Sequence, residues 1–517
     1  MSELFSKNFD YIVVGAGSAG CVVAARLSEN PDVEVLLLEA GGSDAHPDVD
    51  DPARWPRLLR TKRAWGYETV PLRHCNNRID RVPRGKMLGG CHSLNANAWV
   101  RGHRSDFEAW EELGCEGWSW EEVLRLYQRI EDWHGPAEKG PASEPRGVGG
   151  PLYVAPPVDP HPLAAAFVES ASAIGAPRLE DHNGGEMDGV GFLNLTIKDG
   201  RRHSVVRGYL QPAMTRPNLT VVTHAETSRL VLDGVRCTGV EFEQAGQLRT
   251  VRASREVILS AGVIGSPCIL MRSGIGPEGE LKRLGIDVVL NLPGVGQNLH
   301  DHPMVGGINY ECKVPLGMPH NNGVEASMWR MSMSRLTGPD IQAVLLEFPY
   351  ATPALADRLP NANCYTIAPL VVRPASRGSV TLASANFKDS PIIDVNFLAR
   401  DADIEAMLIA IELCREMGAA EAFSQFRKQE VMPGNLGRKE MIEFVRMSTT
   451  TCFHPVGTCK MGIDLDAVVD PQLKVREIEG LRVADASIMP TVTSGNTNAP
   501  TVMIGEKAAE MILGGRL

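Results

Sequence analysis

A short apolar run, Phe9–Val14, is followed at once by Gly15-Ala-Gly17-Ser18-Ala-Gly20, and Cys21 to Leu27 then has helical composition. Val33 to Leu38 is a second buried-strand run ending on Glu39. No other feature narrows the fold as far. This is a βαβ unit with the dinucleotide fingerprint in its required context, and it predicts an α/β fold with a Rossmann-type domain. The glycines let backbone approach a pyrophosphate, and the helix N-terminus offers it unpaired N–H groups and partial positive charge. Glu39 lies 19 residues after Gly20, where a carboxylate can accept hydrogen bonds from the ribose hydroxyls of an adenine dinucleotide.

The fingerprint alone does not separate NAD from FAD. An NAD enzyme would continue with regular βα units, whereas Gly41 to Leu72 is irregular and rich in Pro, Asp and Trp. A second glycine-rich loop follows, "PRGKMLGGCHSLNANAWVRG" at 83–102, without a strand-helix pattern around it. It suits an extended cofactor better than a single phosphate.

With 517 residues, the chain exceeds the size at which one core stops growing, so at least two domains are expected. A net charge of -11 disfavours nucleic acid or an anionic membrane as partner. No window approaches the ~18 uninterrupted apolar residues of a membrane span. The N-terminus carries no signal-like region, because strand composition begins at Phe9. Eleven cysteines, an odd number without paired spacing, read as free thiols and a cytoplasmic location. "HGPAEKGPASEPRGVGGP", 134–151, reads as a surface loop or domain boundary. His300 and His302 in "LHDHP" have no further ligand group spaced to complete a metal site, so no metal is expected.

Taken in order, "YIVVGAGSAGCVVAARLSE", "LLLEAGG", "RAWGYETVP", the 83–102 loop, "REVILSAGVIGSPCILMRSGIGP", "LPGVGQNLHDHP" and the last 70 residues resemble the glucose–methanol–choline (GMC) oxidoreductase family of FAD enzymes. The likeness spans nearly the whole chain and is strongest to choline-dehydrogenase-like alcohol dehydrogenases and oxidases. It implies a discontinuous FAD domain, 1–155, 215–300 and 446–517, and an α+β substrate domain, 156–214 and 301–445, with an antiparallel sheet over the flavin. The FAD contacts implied are Gly15, Gly17, Ser18, Gly20, Glu39, Ala40, Trp65, Gly90, Cys91, Asn95, Ala96, Ala98, Thr227, Ala261, Asp485, Ala486, Ala499 and Thr501. Some members bind flavin covalently through a histidine of this loop. The matching position here is Leu94, and His92 is out of register, so FAD is expected to be non-covalent.

In "TTCFHPVGTCKMG" (450–462), the family likeness makes His454 the general base and Asn498 its partner beside the alcohol. Histidine can accept the proton of a primary alcohol because its pKa lies near working pH, while hydride passes to flavin N5. Asparagine can donate to the developing alkoxide without competing for that proton. Phe453 and Val371 are expected to line the substrate pocket, with 365–372 as the lining strand. The electrons would pass to oxygen, a quinone or a dye. The alternative within the same fold is a flavin-containing lyase that splits a cyanohydrin. A choline-type cation would need a carboxylate and an aromatic cage, and with 6% aromatic residues no such cage can be placed. Oligomeric state is left open.

Overall fold

The computed structural model describes residues 8–136, 144–360 and 363–514. Residues 137–143 of the expected 134–151 loop lie outside the described residues.

Two sheets organise the chain. In the first, Phe9–Val14 pairs in parallel with Val35–Leu38 on one side and with the end of Gln247–Leu259 on the other. Leu219–Val222 extends the sheet beyond Val35–Leu38, and Leu481–Val483 extends it beyond Val257 to Leu259. All five strands are parallel, and their near-continuous burial is what helices covering both faces require. Gln247–Leu259 runs 13 residues because it also closes an antiparallel meander with Ala225–Asp233 and Arg236–Gln244. Buried and more exposed residues alternate along much of these strands, and the last of them leads back into the buried parallel strand. The helix Ser18–Leu27 packs against the sheet and along the final helix, Asn498–Ile512.

The second sheet is antiparallel, in the order Arg427–Met432, Asn309–Cys312, Cys364–Val371, Ile341–Leu346, Ala326–Arg330, Gly189–Phe192. Pro303–Val305 joins it to Thr449–Thr451. Thr449–Thr451 thus belongs to this sheet, so the chain returns to the cofactor side a few residues later than the expected boundary at 446. The helix Asp401–Ala419 covers one face of the sheet. The other face looks onto the first unit. No helix among the described residues is long and apolar enough to cross a membrane.

Candidate active site

A cleft with about 2560 Å³ of space between atoms, part of it open to solvent, runs between the two sheets. Its lining reaches from Gly15 and Glu39 at the glycine loop to Gln342 and Leu346 on the second sheet, an extent that suits an extended cofactor with a substrate beside it. Three helix N-termini end on it, at Gly17 to Ala19, Ala261 to Ile264 and Thr497 to Thr501. None has a side-chain cap. Apart from the Gly262 N–H, which Asp485 takes, their first-turn N–H groups and dipoles favour anionic groups, which is what a pyrophosphate and a reduced isoalloxazine present.

Of the residues expected at the cofactor, Gly15, Gly17, Ser18, Glu39, Ala40, Trp65, Gly90, Cys91, Asn95, Ala96, Ala98, Thr227, Ala261, Asp485, Ala486 and Thr501 line this cleft. Gly20 and Ala499 do not line it. A Cβ on Gly20 would stand 1.8 Å from the Gly15 carbonyl oxygen, so Gly20 serves close helix–strand packing, and Ala499 is fully buried beneath the last helix's first turn. Gly15 has φ +99°, and a Cβ there would meet the Ser260 carbonyl oxygen at 2.4 Å. The cradle also presents orphaned polar atoms, since Asn498 Nδ2 and Thr227 Oγ1 are buried without a partner. These features fit FAD.

Glu39 accepts from the Ala16 N–H (2.9 Å) and the Gly41 N–H (2.8 Å), so it pins the glycine loop as well as facing the cleft. Burial pushes its carboxyl up to about 7, against the pull of those two N–H groups and Lys86. Glu39→Ala should weaken FAD retention by on the order of 1.5–3 kcal/mol, the value of hydrogen bonds to a charged acceptor. In wild type, retention should strengthen as pH rises through about 7, because the ionised form is the better acceptor. Flavin absorbance after dialysis, over a pH series, checks both.

His454 lines the cleft and is held at its backbone N–H and at both ring nitrogens. Its backbone N–H donates to Asp301 Oδ1 (2.9 Å), and Asp301 also takes the Thr451 hydroxyl. Phe453, just before it, sits at φ +66°, a strained conformation for a non-glycine residue. That turn is fastened by the Phe453 N–H on Thr451 Oγ1 (2.7 Å) and by Arg84 donating to the Phe453 carbonyl (2.9 Å). Asn496 Nδ2 donates to His454 Nε2 (3.1 Å). Nε2 is therefore the bare nitrogen, and the ring's one proton sits on Nδ1, where His302 Nδ1 receives it at 3.0 Å. Burial, then His302 and Arg84, hold the His454 pKa well below the usual histidine value, and burial likewise pushes His302 down to about 4. The base is neutral at pH 7, with its lone pair on the cleft side.

Two expectations change here. Asn498 is not the partner of His454: its Oδ1 accepts from Ser18 Oγ (2.9 Å), tying the last helix to the glycine loop, and Asn496 stands at the base instead. Val371 does not line the pocket. Its neighbour Leu370 pairs with Gln342, and alternation turns Val371 to the opposite face, into the core that also holds Met407 and Ile411. The lining comes from the adjacent strand, through Gln342, Val344 and Leu346, with Met304, Trp55 and Phe453. His302, noted in the sequence only as lacking the neighbours for a metal site, touches the base. His92 is fully buried, with Nδ1 accepting from Val205 N–H and Nε2 beside Thr196 Oγ1, both at 3.3 Å, and it lies outside the lining.

The GMC oxidoreductase N-terminal and C-terminal domains match residues 9–304 and 374–505. The chain belongs to the GMC oxidoreductase family. It is 40% identical to the oxygen-dependent choline dehydrogenase of Sinorhizobium fredii, over 98% of this chain and 95% of that one. It is also 40% identical to the mitochondrial choline dehydrogenase of Homo sapiens, over 98% and 90%. Among solved structures, pyridoxine 4-oxidase from Mesorbium loti superposes with a TM-score of 0.93 at 36% identity, covering 98% and 99% of the two chains. The formate oxidase of Aspergillus oryzae gives 0.89 at 31%, covering 99% of each. This GMC oxidoreductase is thus an FAD enzyme that oxidises CH–OH groups, and the comparisons give the lyase alternative no support.

Proposed function

We propose that the protein oxidises a primary alcohol to the aldehyde, with non-covalent FAD, His454 as general base and Asn496 as the donor that steadies the alcohol oxygen. The observation that carries this reading is the neutral, buried His454 whose bare Nε2 faces Asn496 in the cleft. An incoming hydroxyl takes the place beside both groups, its proton passing to Nε2 while Asn496 donates to the oxygen as charge gathers there. His302 and Asn496 keep the ring in that tautomer and Asp301 fixes the backbone that carries it, so no reorganisation is needed when the proton moves. When bound, FAD supplies the acceptor for the hydride. Asp485, already fixed by the Gly262 N–H (2.9 Å) and Ser266 Oγ (2.6 Å), and the backbone of the three helix N-termini would hold it.

The non-covalent assignment is supported by His92, whose two nitrogens are engaged away from the cleft, and by Leu94 in the lining. Acid precipitation should leave a colourless pellet and intact FAD in the supernatant; a yellow pellet would contradict it. We assign the electrons to oxygen, a quinone or a dye, to be separated by comparing oxygen uptake with dye reduction. A cytoplasmic location is supported by the eleven cysteines, all of them unpaired. The deciding experiment is an anaerobic flavin-bleaching screen over aliphatic, aromatic, amino and polyol alcohols. Failure of every alcohol to bleach the flavin would overturn the reading.

A further inference from the structure

The substrate end of the cleft carries one polar atom that its own fold does not use. Gln342 is buried, and its Nε2 donates to Ser327 Oγ (2.9 Å). The single proton of that hydroxyl is committed to the Ala343 carbonyl (3.0 Å), so the amide atom facing Ser327 has to be the nitrogen. The free atom is therefore Oε1, an acceptor, and it has no partner. An orphaned acceptor in a buried site is costly unless something supplies a donor to it.

Its surroundings say what kind of molecule would do so. Val344 and Leu346 of the same strand line the cleft with it, and they pack in one apolar cluster with Met304, Trp55 and Phe453, which line it too. The indole N–H of Trp55 is already given to the Asn322 carbonyl (3.0 Å), which leaves its ring as apolar wall, edge-on to Phe453. The carboxylates that line the cleft, Glu39, Glu226, Asp389 and Asp485, are held elsewhere. Glu39 and Asp485 bind backbone at the cofactor, Glu226 pairs with Lys86 and Lys388, and Asp389 takes Ser384. Asp301 beside the base is used by Thr451 and His454 and does not line the cleft. A quaternary ammonium group would find no counter-charge on this wall.

Register gives the length. Met304 pairs with Leu370, which pairs with Gln342, so Gln342 stands two strands from the strand that follows His302. At the usual strand spacing that sets the two backbones roughly 10 Å apart across the sheet. We infer that the substrate is an uncharged primary alcohol with a flat apolar body and a hydrogen-bond donor at its far end, which Gln342 Oε1 reads. A substituted aromatic ring fills that span and a two-carbon chain does not. The inference rests on the alcohol-oxidising reading above and narrows it.

The test compares benzyl alcohol, 4-(hydroxymethyl)phenol and choline as anaerobic reductants of the holoenzyme. The phenol should exceed benzyl alcohol in kcat/KM by about tenfold or more, the usual return on satisfying a buried acceptor. Choline should fall about a hundredfold or more below either, since its charge has no partner. In Gln342→Leu the ratio of the phenol to benzyl alcohol should collapse to near one. Equilibrium binding of 4-hydroxybenzaldehyde against benzaldehyde to the oxidised holoenzyme should show the same preference and the same collapse, without any turnover. A choline preference, or a donor preference that survives Gln342→Leu, would overturn the inference while leaving alcohol oxidation intact. If the variant does not fold, absence of a donor preference in the wild-type panel does so alone. No bleaching by any of the three, or by the wider alcohol screen, would instead strike at the underlying reading.

Discussion

His454→Ala should keep its fold and FAD while anaerobic flavin reduction by a good alcohol falls by about 10²–10⁴, the usual contribution of a positioned base. Loss of a proton acceptor also changes the pH dependence. Burial keeps the wild-type imidazole neutral well below the ordinary histidine value, so the reductive rate should be flat across neutral pH and fall only in acid, below about 6.5. That acid limb belongs to His454 and should vanish with it. Asn496→Ala should keep the limb but reduce flavin more slowly, because an amide does not titrate. Asn498→Ala should behave differently from both. It frees Ser18 and loosens the contact between the last helix and the glycine loop, so weaker FAD retention is expected there. Stopped-flow reduction over a pH series separates the three. An unchanged rate and limb in His454→Ala would dismiss it as the base.

Gly15→Ala should yield protein almost without FAD. At φ +99° an alanine is strained by roughly 1–3 kcal/mol. Its Cβ would also press to 2.4 Å on the Ser260 carbonyl oxygen, which lies in backbone and cannot step aside. Overpacking of that kind costs about 1–3 kcal/mol more, against a total stability of about 5–15 kcal/mol. Relief would come from displacing the loop that faces the cofactor. Gly234, in the turn between Ala225–Asp233 and Arg236–Gln244, supplies the control. Its φ is +57° but nothing lies within 4 Å of an added Cβ, so Gly234→Ala should carry the conformational strain alone and keep its flavin. The ratio of flavin to protein absorbance in the purified variants reads the difference.

How much of this was legible in the sequence depends on how local each feature is. The glycine fingerprint, its two strands and Glu39 lie within 31 residues, and spacing alone implies their geometry. The alternation along the meander strands is equally local. Asn496 and Asn498 are two apart in "GNTNAP", and only the start of the last helix decides which faces the base. The turn before the helix leaves Asn496 free to reach His454, whereas Asn498, already helical, points to Ser18. Register in the second sheet was hidden for another reason. All eight residues of Cys364–Val371 and all six of Ile341–Leu346 are buried, because a helix covers one face and the cleft wall the other. With both faces apolar there is no alternation to read, so Val371 and Gln342 could not be sorted from sequence. The His302–His454 contact joins residues 152 apart, and no local pattern announces it.

The parallel sheet is completed only when Leu481–Val483 docks on Val257 to Leu259, and the glycine-loop helix is covered only by Asn498–Ile512. That cover is tight: a Cβ on Gly505 would reach the Ala19 carbonyl oxygen at 2.9 Å, and buried Glu506 takes Arg26 at 2.8 Å. At translation rates of ~5–20 residues per second, the sheet edge would therefore stand on the ribosome uncovered for roughly 10–45 s and the helix for roughly 20–90 s. Flavin capture is in consequence a late, post-synthetic event, and shortage of the cofactor should be felt in the cell as lost protein before it is felt as lost turnover.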